Sequence, residues 1–263
     1  ALERLGAGRA ALLCQSNATY ICRYAALYGD VSLEEAEQGL RRPARGVTIE
    51  KLIMVGTANG GAIRILQELN RGRQYMRIIG RRMRPETLFT FRSLHQDLPA
   101  YRPDLFMDSA GTPLPVDVFD AEPWLTYGWS IFAEASATRA SRDEVFGTPD
   151  QRETFLRDAL DRARRLHALL RRGTAPLPIR YYSIQSREFR TPSHAVLRRT
   201  HRRWETRIES ALPGDRHAVE ESQEWLSPGE RAALLPPLFV AGKHFEMITT
   251  PETREIILGM LRE

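Results

Sequence analysis

An apolar run that ends within a single turn and passes at once into a helical pattern constrains this chain more than any other feature. Residues 9–14 close on Ala10-Ala11-Leu12-Leu13-Cys14, which reads as a short buried strand. Gln15-Ser16-Asn17 breaks the run, and residues 17–28 then carry Ile21, Tyr24, Ala25 and Leu27 at helical spacing, stopping at Gly29-Asp30. Further apolar runs follow at Thr48–Val55, 179–184 and 235–241, and Pro251–Arg262 is an amphipathic terminal helix with proline near its start. Strands that alternate with helices pair in parallel, and helices then cover both faces of the sheet. The predicted class is therefore α/β, a parallel sheet with flanking helices.

Between residues 56 and 178 this alternation lapses. The stretch holds many of the prolines, together with Tyr101, Phe106, Trp124, Tyr127 and Trp129, which look exposed, although each could equally belong to the core of the insertion. It is far longer than an ordinary strand-to-helix loop. It reads as a largely helical and irregular cap insertion, so that residues 1–56 and 179–263 form the core and 57–178 the cap. A 263-residue chain with 42% hydrophobic and 27% charged residues suits one main domain plus such an insertion.

Several function classes are disfavoured by composition. No apolar stretch approaches the roughly 18 to 20 residues that cross a bilayer, so no transmembrane segment is expected. Lys51 and Lys243 are the only lysines, so the basic character is almost wholly arginine, and the arginines are scattered. Their densest run, residues 162–172, lies in 151–173, where Phe155, Leu156, Ala159, Leu160, Ala163, Leu166 and Leu170 recur at helical spacing. That is a solvated helix face rather than a groove for nucleic acid. Cys14 and Cys22 are the only cysteines. They read as buried thiols, with no disulfide framework and no metal cluster, and no cofactor is called for.

Ser16 admits two roles. A serine on a sharp strand-to-helix turn can present its hydroxyl as a nucleophile above a helix N-terminus. Equally, Ser16 or Asn17 can cap the helix that follows. A nucleophilic serine needs a base to take its proton and an acid to orient that base, since a free hydroxyl is a poor nucleophile near neutral pH. His244, between the run at 235–241 and the terminal helix, stands where such a base belongs. Asp215, in the Pro213-Gly214-Asp215 turn, is the preferred acid, with Glu220 and Glu221 as competitors.

Four segments carry a family resemblance. Cys14-Gln15-Ser16-Asn17-Ala18, running into Cys22-Arg23-Tyr24-Ala25, resembles a G-H-S-M-G elbow and its A-R-Y helix, with Cys14 and Ala18 where glycines stand. Residues 52–62, ending Gly56-Thr57-Ala58-Asn59-Gly60-Gly61-Ala62, are similar to a strand and its G-T-P-x-x-G-S turn. Residues 213–219 with Ser222 resemble a G-D-G-T-V segment bearing an acid, although Arg216-His217 replace Gly-Thr. Gly242-Lys243-His244-Phe245 is similar to a segment bearing a histidine. Taken together they resemble the lipase and lecithin:cholesterol acyltransferase-like branch of the α/β hydrolases.

That resemblance implies the C-terminal part of an α/β-hydrolase fold, with Ser16, Asp215 and His244 as catalytic residues and the amide of Asn17 in the oxyanion hole. It implies an ester or lipid substrate and no metal. It also implies strands ahead of the elbow, hence an expected N-terminal segment or second chain that completes the sheet. The leading expectation is a serine hydrolase of carboxylic esters acting through an acyl-enzyme. Transfer of the acyl group to an alcohol acceptor uses the same residues, and the altered elbow keeps open a catalytically silent binding protein.

Overall fold

The computed structural model describes residues 8–42, 47–74, 82–141, 146–172, 178–201 and 203–263. In chain order the elements begin β1 (Arg9–Gln15), α1 (Ala18–Tyr28), α2 (Leu33–Glu37), β2 (Thr48–Val55), α3 (Ile63–Arg71), β3 (Arg73–Gln74) and β4 (Arg82–Met83). They continue with α4 (Pro85–Phe89), α5 (Arg92–Gln96), β5 (Phe106–Met107), α6 (Ala121–Tyr127), α7 (Glu134–Ala140) and α8 (Pro149–Arg171). The remainder are β6 (Arg180–Gln185), β7 (Phe189–Arg199), β8 (Trp204–Gly214), α9 (Glu220–Gln223), α10 (Pro228–Ala232), β9 (Leu238–Phe239) and α11 (Pro251–Arg262).

The chain divides into two compact units: Ala1–Gly60, Arg165–Thr191 and Leu212–Glu263 form the first, and Gly61–Arg164 with Pro192–Ala211 the second. The first is built on a four-stranded sheet in the order β1-β2-β6-β9, parallel throughout. This is the α/β architecture read from the sequence. In β2, Lys51 to Val55 are all buried, as a central parallel strand requires. Alternate side chains serve opposite faces. Ile53 and Val55 pack with Tyr182, Ile184, Met247, Ile257 and Met260, while Leu52 and Met54 pack with Cys14, Tyr181 and Leu226.

Buried charge in this unit is tied down. Arg23 donates to both carboxylate oxygens of Glu230 at 2.7 Å, and to the carbonyls of Asn59 and Leu170. The same Glu230 carboxylate closes the capping box of α10 by accepting from the Ser227 amide. Lys51 Nζ donates to the Met260 carbonyl at 2.7 Å, satisfying an orphan acceptor at the C-terminus of α11.

Two expectations are corrected here. Cys14 and Cys22 are not thiols but a disulfide, with Cα atoms 6.6 Å apart, inside the bridgeable range. The reason is geometric: the turn at Ser16 folds α1 back over β1, so residues separated by eight positions meet. The last strand is also shorter than the run 235–241 suggested. β9 spans Leu238–Phe239, and Leu235, Leu238 and Phe239 are exposed, as suits a short edge strand.

The second unit holds α3 to α7, the first part of α8, and a three-stranded sheet in the order β5-β7-β8. Its aromatics are not exposed as the sequence suggested. Tyr101, Phe106, Trp124 and Trp129 are buried. Phe106 stacks on Trp129 at 5.4 Å, and Trp124 meets Trp129 edge-on at 5.6 Å. Their indole N–H groups are satisfied, Trp124 donating to the Val118 carbonyl and Trp129 to Thr206 Oγ1. Burial among these rings pushes the His95 imidazole down to about 4.

Candidate active site

The site lies within the first unit and begins where β1 gives way to α1. Ser16 has φ of 55°, in the left-handed region that side-chain-bearing residues rarely occupy. Its amide donates to the Val55 carbonyl, and its carbonyl accepts from the Thr19 amide in the first turn of α1. At the N-cap position, Asn17 makes no side-chain capping bond.

The Ser16 hydroxyl instead donates to His244 Nε2 at 2.7 Å. On the other side of the ring, His244 Nδ1 donates to Asp215 Oδ2, also at 2.7 Å. With the proton on Nδ1, Nε2 is left as an acceptor for the serine proton. His244 and Asp215 are buried, so the hydrogen bond between them is shielded from bulk water, while Ser16 is half-buried. Of the three carboxylates weighed from the sequence, Asp215 is the one brought to His244. Glu220 instead lies 3.9 Å from Arg187. Three of the other histidines serve elsewhere: His167 packs edge-on against Tyr20 and Trp225, His194 lies 3.8 Å from Glu209, and His95 belongs to the aromatic core of the second unit.

Asp215 is held by the turn around it. Its Oδ1 accepts from the amides of His217 and Ala218 at 2.9 and 2.8 Å, and its own amide donates to the Ala218 carbonyl. The turn passes through Arg216 at φ of 75° and is pinned by the Arg216 amide donating to Thr191 Oγ1. A Cβ at Gly214 would sit 2.3 Å from the Ala218 carbonyl oxygen, so no larger residue fits there. Burial is the strongest influence on the Asp215 carboxyl and pushes it up. The His244 hydrogen bond, the adjacent imidazoles and the Ala218 amide together outweigh that and hold it below the usual carboxylate range.

Three supports were not singled out from the sequence for this purpose. Gln15 Nε2 donates to the His244 carbonyl at 3.2 Å, and the His244 amide donates to the Asp215 carbonyl at 3.0 Å, so the histidine loop is fastened to both partners. Gly56, with φ of 51°, leaves room for the acid, since a Cβ there would stand 3.4 Å from Asp215 Oδ2 and 3.1 Å from Met247 Cε. The His217 ring stacks on that of His244, with centroids 4.2 Å apart. Only the Gly56 turn and the Arg216-His217 pair had any sequence signal, as departures or small residues beside a turn.

No family model and no curated protein matches the sequence. The structure is similar to a chain in the crystal structure of the Tle4–Tli4 complex, with a TM-score of 0.61 at 11% identity. The match covers 94% of this chain and 58% of that one, so this chain spans less than two thirds of its neighbour. The likeness is one of fold. It overturns the resemblance to the lecithin:cholesterol acyltransferase-like branch, which neither sequence comparison nor this neighbour supports. The four segments behind that resemblance sit at turns, where tight geometry selects glycine, alanine and short polar residues whatever the ancestry. Among the described residues, no helix is long and apolar enough to cross a membrane.

Proposed function

We propose that this chain is a serine hydrolase of carboxylic esters, with Ser16 as nucleophile, His244 as general base and then acid, and Asp215 orienting the imidazole. The observation that carries the reading is the unbroken chain from Ser16 Oγ through both nitrogens of His244 to a buried carboxylate, 2.7 Å at each link. As Ser16 attacks the acyl carbon, its proton passes to His244 Nε2, and Asp215 stabilises the imidazolium that forms. The amide of Asn17, next in the chain and at the N-terminus of α1, donates to the oxyanion, where the helix dipole favours negative charge. His244 then returns the proton to the departing alcohol, and water activated by the same imidazole releases the acid.

The left-handed backbone at Ser16 supports the same reading, because residues held in costly conformations gather at functional sites. The neighbouring structure is a two-component complex, which supports a further reading in which a second protein chain binds this one. Ser16→Ala is expected to lower turnover of a short p-nitrophenyl ester by about 10⁴-fold or more and to abolish labelling by a fluorophosphonate probe. Unchanged turnover in a folded Ser16→Ala protein would overturn the assignment.

A further inference from the structure

We propose that His217 is a positioning residue for the base, holding the plane of the His244 ring so that Nε2 stays aimed at Ser16. The proposal rests on the reading of His244 as the base. Its starting point is that the Cβ attachment and the hydrogen bond at Nδ1 hold one edge of the imidazole and leave the ring able to rock about that edge against the single hydrogen bond at Nε2. Tilting swings Nε2, at the opposite side of the ring, away from the serine hydroxyl. A misplacement of about 1 Å between reacting groups costs on the order of 100-fold in rate. Something must therefore bear on the face of the ring.

The rings of Phe245 and His217 both meet His244. Phe245 meets it edge-on at 4.8 Å but is itself 56% exposed, so it covers the ring only from the solvent side. His217 is buried and lies against the face, centroids 4.2 Å apart and planes 24° from parallel. Its own placement is determined by the same turn that places the acid. The His217 amide donates to Asp215 Oδ1, while Asp215 Oδ2 receives His244 Nδ1. Arg216, in its left-handed conformation, reverses the chain between them and extends over the Phe189 ring. One turn thus delivers a carboxylate to the edge of the base and a flat ring to its face. The carboxylate sets where the imidazole is anchored, and the ring sets how it is tilted.

The test compares His217→Phe, which keeps a flat ring, with His217→Leu, which fills similar volume without one. Hydrolysis of a short p-nitrophenyl ester and the rate of fluorophosphonate labelling are measured for both and for the wild-type chain, with a thermal melt to establish folding. His217→Leu is expected to lower kcat about tenfold with KM within about twofold, and His217→Phe to recover kcat to within about threefold of wild type. Labelling rates should follow kcat. Equal loss in two folded variants, a loss confined to KM, or no loss in His217→Leu overturns the proposal while leaving the serine reading intact. A wild-type chain that takes no label overturns both. If His217→Leu does not fold, His217→Ala replaces it in the same comparison with His217→Phe.

Discussion

Two turns in the first unit each force a side-chain-bearing residue into the left-handed region, and they do so to different ends. At the elbow the strained residue is Ser16, the one whose hydroxyl meets His244. At residues 214–218 the strained residue is Arg216, beside Asp215 rather than at it. The elbow is stapled covalently by the Cys14–Cys22 disulfide across its two arms. The acid turn has no such staple and is a lattice of hydrogen bonds from Thr191, His217 and Ala218 onto its backbone and carboxylate. A hydroxyl must be thrust out from the backbone, whereas a carboxylate must be wrapped by it. The difference in strain and bracing follows from what each turn presents.

The contrast can be broken at the acid turn first. In the proposed mechanism Asp215→Asn preserves shape but removes the charge that would stabilise the imidazolium and select the Nδ1–H tautomer, so kcat should fall by about 10⁴-fold, near 5.5 kcal/mol of barrier. The same variant tests the linkage of charge to stability. Because the folded Asp215 carboxyl lies below its ordinary range, its contribution is fully present above about pH 4 and is lost as pH falls through the lowered value. Urea unfolding should show a stability gap between wild type and Asp215→Asn that narrows as pH falls below about 4. A gap that does not narrow there would refute the wrapped carboxylate.

At the elbow, Cys22→Ser should cost about 2 kcal/mol in unfolding free energy, the scale for closing a short loop, and an equal loss should follow chemical reduction of the wild-type chain. No change would mean that the hydrogen bonds of the turn suffice without the staple. The smallest effect is expected at Arg216→Gly. Relief of the left-handed backbone is offset by the flexibility glycine adds to the unfolded chain and by loss of the contact over Phe189, leaving stability within about 0.5 kcal/mol of wild type. A loss of kcat there with unchanged stability would show that Arg216, rather than the turn it permits, acts on the site.

Much of the α/β framework was legible because parallel strands buried on both faces are nearly continuous apolar runs, and β2 and β6 are buried in that way, whereas β1, which reads as a buried strand, leaves Ala11 and Leu13 exposed at the edge of the sheet. β7 and β8 escaped notice for the opposite reason. Residues such as Arg198, Arg199, Glu205, Arg207 and Glu209 give these long strands a polar surface that resembles a loop or a helix face. The aromatics of the second unit misled in a related way: a segment without strand-helix periodicity looks irregular, and irregular segments look exposed, yet Trp124 and Trp129 anchor a core made of short helices and turns. The disulfide was missed because a spacing of eight says nothing until the turn between the cysteines is known to double back.

Local sequence was enough to mark the turns, since an apolar run cut short by Gln15-Ser16-Asn17 and a Pro213-Gly214-Asp215 step can hardly be anything else, and it named Ser16, Asp215 and His244 as candidates one by one. It could not bring them together. Ser16 and His244 are 228 positions apart, and Ser16 had a helix cap as an equally good local explanation. What brings Ser16 and His244 together is the parallel pairing of β1, β2, β6 and β9, which lines up strand ends so that the loops beyond them share one edge of the sheet. The same packing set His217 on the face of His244, a contact that depends on the tilt of one ring against another and leaves no trace in residue order.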